Sequence, residues 1–104
     1  VQKPYDDFAQ HFLKDNKDKM LLDVRNDDEV AQGILPEAVH IPLANLVTRI
    51  GEISPQKVIY IYCRSGKRAE SAADILNQHG IKNVIFASNG GYDQLKDLIK
   101  EKST

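Results

Sequence analysis

The stretch Val58-Ile59-Tyr60-Ile61-Tyr62-Cys63-Arg64-Ser65-Gly66-Lys67-Arg68 decides how this chain folds. Its first five residues are all β-branched or aromatic. A run that is apolar throughout, rather than alternating, fits a central parallel strand covered on both faces. From about Arg68 the pattern changes: Ala69, Ala72, Ala73 and Leu76 form one apolar stripe of a helix, and Gly80 supplies its stop. A buried strand that passes through a short polar loop into a helix is the repeating unit of an α/β sheet.

The flanking sequence continues that alternation. Tyr5, Phe8, Ala9, Phe12 and Leu13 recur at helical spacing behind Pro4, a start signal. Met20 to Val24 reads as a buried strand, and Asn26 or Asp27 can cap a short helix through Glu29, Val30 and Ala31, stopped by Gly33. The acidic Asp27-Asp28-Glu29 cluster suits that helix N-terminus. Val39-His40-Ile41 predicts a short strand, and Leu43 to Ile50 a helix closed by Gly51. Downstream come a strand at Val84-Ile85-Phe86, a turn at Asn89-Gly90-Gly91, and an amphipathic helix from Tyr92 to Ile99 with Leu95 and Leu98. The order αβαβαβαβα predicts an α/β domain: an open parallel sheet flanked by helices on both faces.

The 104 residues suit one domain, taken as residues 1–104. At this size folding hides roughly two-thirds of the unfolded surface, enough for a self-sufficient core. A formal net charge of -1 gives no reason to expect nucleic acid or an anionic membrane as a partner. No apolar run approaches the ~18 residues of a membrane span, and no signal-peptide pattern is visible. One cysteine excludes an intrachain disulfide, which favours a reducing, cytoplasmic setting. A start at Val1 leaves open a processed, exported chain, a trimmed one, or a module of a longer protein. His11, His40 and His79 are scattered without metal-ligand spacing, so no metal site is expected. Lys96, Lys100 and Lys102 read as a solvated helix face.

The chemistry concentrates in Cys63-Arg64-Ser65-Gly66-Lys67-Arg68. In an open α/β sheet, ligands bind beyond the carboxyl ends of the strands, and Cys63 ends one. The loop enters a helix N-terminus, where unpaired N–H groups and the helix dipole favour an anion. Gly66 lets the backbone curl so that amides can turn inward. Arg64, Lys67 and Arg68 place three cations within five residues of the thiol, which favours the nucleophilic thiolate. A lone cysteine is more often a small buried hydrophobe, but packing does not account for three cations and a glycine beside it. Ser65-Gly66-Lys67 is not the end of a nucleotide-binding P-loop, because the earlier glycine of that motif falls at Ile61. Tyr60 and Tyr62, alternating along the strand, read as packing residues.

Taken together, these segments resemble the rhodanese family over nearly the whole chain. The resemblance rests on Asp23-Val24-Arg25 near the end of the first core strand, on Glu29, and on Gly33-Ile34-Leu35-Pro36-Glu37-Ala38 followed by His40-Ile41-Pro42-Leu43. It continues through the Cys-Arg-Ser-Gly-x-Arg loop, Ala69, Ala72 and Ala73, Gly80-Ile81, and Gly90-Gly91. Ile34 stands where the family usually has His, Glu37 where it has a second Gly, and Tyr92 and Leu95 follow the glycine pair where many members carry tryptophan.

The resemblance implies sulfane-sulfur transfer through a Cys63 persulfide, in two half-reactions and without a cofactor. Cys63 would be the nucleophile, and Arg64, Ser65, Gly66, Lys67 and Arg68 the groups that bind a small anionic donor such as thiosulfate. Arg68 is also placed to brace the loop against an acidic neighbour. Asp23 and Arg25 are expected to organise the site rather than touch the donor. The acceptor would be a thiol, cyanide or a protein. Two other classes compete. Cysteine phosphatases and arsenate reductases place one residue more between Cys and Arg than the four between Cys63 and Arg68, a wider ring suited to a phosphoryl group. A binding module of the same shape without turnover often lacks the cysteine that this chain retains.

Overall fold

Strand β4 (Val58–Tyr62) lies in the middle of a five-stranded sheet in the computed structural model, which describes residues 1–100. Its neighbours are β2 (Lys19–Asp23) and β5 (Val84–Ser88); β3 (Val39–His40) and β1 (Gln2–Pro4) form the two edges, and every pairing is parallel. The β2–β4 register runs from Lys19 opposite Val58 to Asp23 opposite Tyr62, so the ends of these strands meet side by side. From β2 the chain first crosses outward to β3, then returns to β4 and continues towards β5. That reversal puts a crevice beyond the carboxyl ends of β2 and β4.

Residues of β4 alternate between two cores, which is why the run has no polar face. Ile59 and Ile61 join Leu22, Val24 and Phe86 beneath α3 (Lys67–Gln78), whose Ala69, Ala72 and Ala73 let the helix approach closely. Tyr60 and Tyr62 join Leu21 and Ala87 on the opposite face, covered by Phe8, Ala9 and Phe12 of α1 (Tyr5–Lys14) and by Leu95 of α4 (Tyr92–Leu95). The predicted sheet with helices on both faces is thus present. Both phenols are buried yet partnered: Tyr60 donates to Asp15 Oδ2 at 2.6 Å, and the Leu35 N–H donates to Tyr62 Oη at 3.2 Å. Burial, reinforced by the nearby carboxylates of Asp15 and Asp23, holds both phenols protonated well beyond the ordinary tyrosine range.

The elements differ from the expected αβαβαβαβα in three respects, two of kind and one of length. Edge strand β1 precedes α1, paired with β5 through Gln2–Phe86, Lys3–Ala87 and Pro4–Ser88. Three residues ending in proline carry almost no strand signal of their own. The helix expected from Leu43 to Ile50 is instead two 3₁₀ turns, Leu43–Asn45 and Ile50–Glu52. Val47 and Thr48 are poor helix formers, and the Thr48 hydroxyl donates to the Asn45 carbonyl at 2.9 Å, competing with a regular ladder. The last helix ends at Leu95; turns carry the chain on, and the side chain packed with Leu95 is Ile99 while Leu98 is exposed. Leu13 is likewise exposed, so the buried stripe of α1 is Phe8, Ala9 and Phe12. The short acidic helix α2 (Asp27–Ala31) starts at Asn26 as expected, with the Asn26 N–H donating to Glu29 Oε1 at 3.1 Å. His79 caps α3, its Nδ1 at 2.9 Å from the Ile75 carbonyl. Lys102 lies outside the described residues.

Candidate active site

Cys63 is the first residue past β4, and the next three form the loop that enters α3 at Lys67. Gly66 adopts φ 106°, a left-handed conformation that a side chain would strain, and there the loop folds back over the thiol. The Gly66 N–H donates to Cys63 Sγ at 3.0 Å, and the Ala69 N–H, in the first turn of α3, donates at 3.4 Å. The helix therefore spends one of its unpaired N–H groups on sulfur. The Ser65 amide makes no such bond among the described residues.

The cations separate into two kinds. Arg64 and Lys67 are exposed and have no ion-pair partner among the described residues. Arg68 instead forms a two-pronged pair with Glu29, Nη1 to Oε1 at 2.6 Å and Nη2 to Oε2 at 2.9 Å. Glu29 also accepts from the Asn26 N–H, so the pair ties α3 to the start of α2. Arg68 thus braces the loop, and its guanidinium is already occupied. The Arg68 hydrogen bonds lower the Glu29 carboxyl from 4.5 to about 2. A carboxyl depressed on folding stabilises the chain above its unfolded value and loses that contribution as pH falls through the folded one. Glu29→Gln should therefore cost about 1 kcal/mol near neutrality, since both side chains keep some contact with water. The difference from the unsubstituted chain should shrink as pH falls from about 4.5 towards 2, as urea denaturation would read it.

Asp23 and Arg25 lie on the other wall. Asp23 Oδ1 accepts the Arg25 N–H at 2.8 Å, and Oδ2 accepts Arg25 Nη2 at 2.8 Å. Nη2 also reaches the Gly33 carbonyl at 2.6 Å, and the guanidinium lies 4.1 Å from the centre of the Tyr92 ring. These contacts hold the Arg25 guanidinium in place between Asp23, Gly33 and Tyr92. His40 contributes a contact of 2.7 Å from Nε2 to the Arg25 carbonyl. Arg25, Glu29, Gln32, Arg64, Tyr92 and Asp93 line a depression of about 180 Å³ beside the loop.

Two features were not legible in sequence. The Tyr92 N–H donates to the Cys63 carbonyl at 2.9 Å, and Gly91 lies so close that a Cβ there would stand 1.8 Å from that oxygen. Gly90-Gly91 signals a turn, but nothing in the string says which backbone it touches. The second feature is a correction. The thiol of Cys63, expected to meet a ligand beyond the carboxyl end of its strand, is 0 % exposed. The left-handed turn at Gly66 closes the loop over Sγ, and α3 and β5 pack around it. Two backbone N–H groups nevertheless point at the buried sulfur.

Comparison with known proteins bears on this arrangement. A sulfurtransferase of Allochromatium vinosum is 37 % identical over 78 residues, covering 75 % of this chain and 73 % of that one. Among solved structures, SSP1007 of Staphylococcus saprophyticus superposes with a TM-score of 0.78 at 27 % identity, covering 98 % of this chain and 97 % of the other. A NAD-dependent persulfide reductase of A. fulgidus superposes with a TM-score of 0.62 at 33 % identity; the match takes in 73 % of this chain but 14 % of that much longer one. The rhodanese-like domain family model matches residues 5–98, from the start of α1 to beyond α4, and with nearly the whole described fold inside that match this chain belongs to the rhodanese-like domain family.

Proposed function

We propose that this chain is a sulfurtransferase in which Cys63 carries sulfane sulfur as a persulfide. Family membership and the sulfurtransferase relative support sulfur transfer as the class of chemistry. One observation carries the finer reading: Sγ receives N–H groups from Gly66 and Ala69 at the start of a helix. Fixed donors aimed at a sulfur anion stabilise both the attacking thiolate and the persulfide it becomes.

The Cys63 thiolate attacks the outer sulfur of a donor such as thiosulfate. An Sγ–S bond forms, the donor's S–S bond breaks, and its electron pair leaves on sulfite. A thiol, cyanide or protein acceptor then takes the outer sulfur and returns the pair to Sγ. With one cysteine in the sequence, no second thiol of the chain can resolve the persulfide as a disulfide. Arg64 and Lys67, both exposed, are the cations that attract the anionic donor, and Gly66 acts through its backbone amide. Arg68 acts through Glu29 on the loop rather than on the donor. Loading requires the loop from Cys63 to Arg68 to shift, because the thiol is covered.

That covering is the observation that favours a second reading, a binding module without turnover. Incubation of the purified chain with thiosulfate, followed by intact mass measurement, separates the possibilities. A gain of one sulfur atom, released by cyanide as thiocyanate, is the expected result. Hydrolysis of an aryl phosphate with no sulfur gained would point to phosphatase chemistry, and neither outcome would leave the binding module.

A further inference from the structure

Ser88 Oγ is a buried side-chain atom without a hydrogen-bond partner, the sole example among the described residues, and Ser88 is only 7 % exposed. Folded chains leave few such hydroxyls, because burying one unpaired forfeits its bonds to water. Its position gives it a use. Along β5, Val84 and Phe86 face the core that holds Cys63, whereas Ile85 and Ala87 face the opposite one. Alternation puts the Ser88 side chain on the thiol's face. The β4–β5 register ends with Ile61 opposite Phe86, and two residues further along each chain come Cys63 and Ser88. Gly66, whose amide holds Sγ, is packed on the same residue: a Cβ there would stand 3.1 Å from Ser88 Cα.

We propose that the Ser88 hydroxyl donates a hydrogen bond to the outer sulfur carried on Cys63, a contact that exists only in the loaded state. The proposal rests on the persulfide reading above. In the unloaded chain Sγ is held by the Gly66 and Ala69 amides and receives nothing from Ser88. Adding a sulfur extends the side chain by about 2.05 Å and moves the charge to the new atom, which needs a donor of its own. A buried hydroxyl on the same face, left unpaired until then, meets that need. The step is thiolate plus thiosulfate giving persulfide plus sulfite, with no change in total charge and no external oxidant.

The test is the loading equilibrium, read by intact mass at fixed ratios of thiosulfate to sulfite. Ser88→Ala should lower the ratio of loaded to unloaded chain about tenfold, the effect of losing one hydrogen bond to a charged acceptor. Its melting temperature should be unchanged or higher, because the orphaned group is gone. Alkylation of the unloaded thiol by iodoacetamide should keep its rate, since that state has no bond from Ser88. Equal loading of the two chains would overturn the proposal. So would a parallel fall in alkylation rate or a lower melting temperature, each of which would mark a disturbed site or an existing structural partner. If the unsubstituted chain takes up no sulfur, the persulfide reading itself fails, a result distinct from equal loading.

Discussion

Cys63→Ser should gain no sulfur from thiosulfate and yield no thiocyanate with cyanide, while remaining folded. The chain has one cysteine, so no other thiol can substitute. The loss should be complete within detection, because a serine hydroxyl at neutral pH is a far weaker nucleophile than a thiolate, and among the described residues no basic side chain hydrogen-bonds Cys63 Sγ. The fold should persist because the new Oγ can still accept from the Gly66 and Ala69 amides that now bond Sγ. Cys63→Ala makes the informative contrast. It removes sulfur uptake as well, but leaves two buried N–H groups without an acceptor, at about 1–3 kcal/mol for each. Urea denaturation should therefore rank Cys63→Ala below Cys63→Ser. Sulfur uptake by the serine variant would end the case for Cys63 as carrier.

Gly91→Ala should damage the site nearly as severely, although Gly91 contributes no side chain to it. Its φ of −167° is extended backbone that any residue adopts, so backbone strain is not the reason. The reason is contact: a Cβ at Gly91 would lie 1.8 Å from the Cys63 carbonyl oxygen and 2.6 Å from that of Arg64. Both are backbone atoms and cannot swing aside. Either β4's end or the start of α4 must move, and the 2.9 Å bond from the Tyr92 N–H to the Cys63 carbonyl goes with it. Overpacking of this kind costs about 1–3 kcal/mol. A shift of about 1 Å in a reacting group can cost on the order of 100-fold in rate. Sulfur uptake from thiosulfate should fall by that order, and Tm should drop. Gly51→Ala is the control, since nothing lies within 4 Å of a Cβ there. A normal uptake rate in Gly91→Ala would show that the loop tolerates displacement, and the close approach would then have no bearing on transfer.

The parts of this molecule legible in its sequence are those whose cause is local. Five strand formers, a loop with one glycine and three cations, and an alanine stripe are adjacent in the chain, and each dictates the geometry of its own segment. The site's position at the end of a central parallel strand follows from them. Edge strand β1 was not legible because three residues become a strand only by pairing with β5 at the far end of the chain. The segment from Leu43 to Ile50 has helical spacing, but spacing does not weigh the reluctance of Val47 and Thr48 to enter a helix. That Arg68 would brace the loop could be anticipated; that Glu29, 39 residues away, would be its partner needed the fold to bring α2 within reach of the start of α3.

Only the tertiary structure decided whether the thiol is open. Sequence determines that an amide-rich turn follows Cys63. Exposure, however, belongs to whatever packs around an atom, and here that includes a core assembled from β2, α3 and β5. The same holds for the unpaired Ser88 hydroxyl, whose neighbours are set by sheet register rather than by its place in the chain.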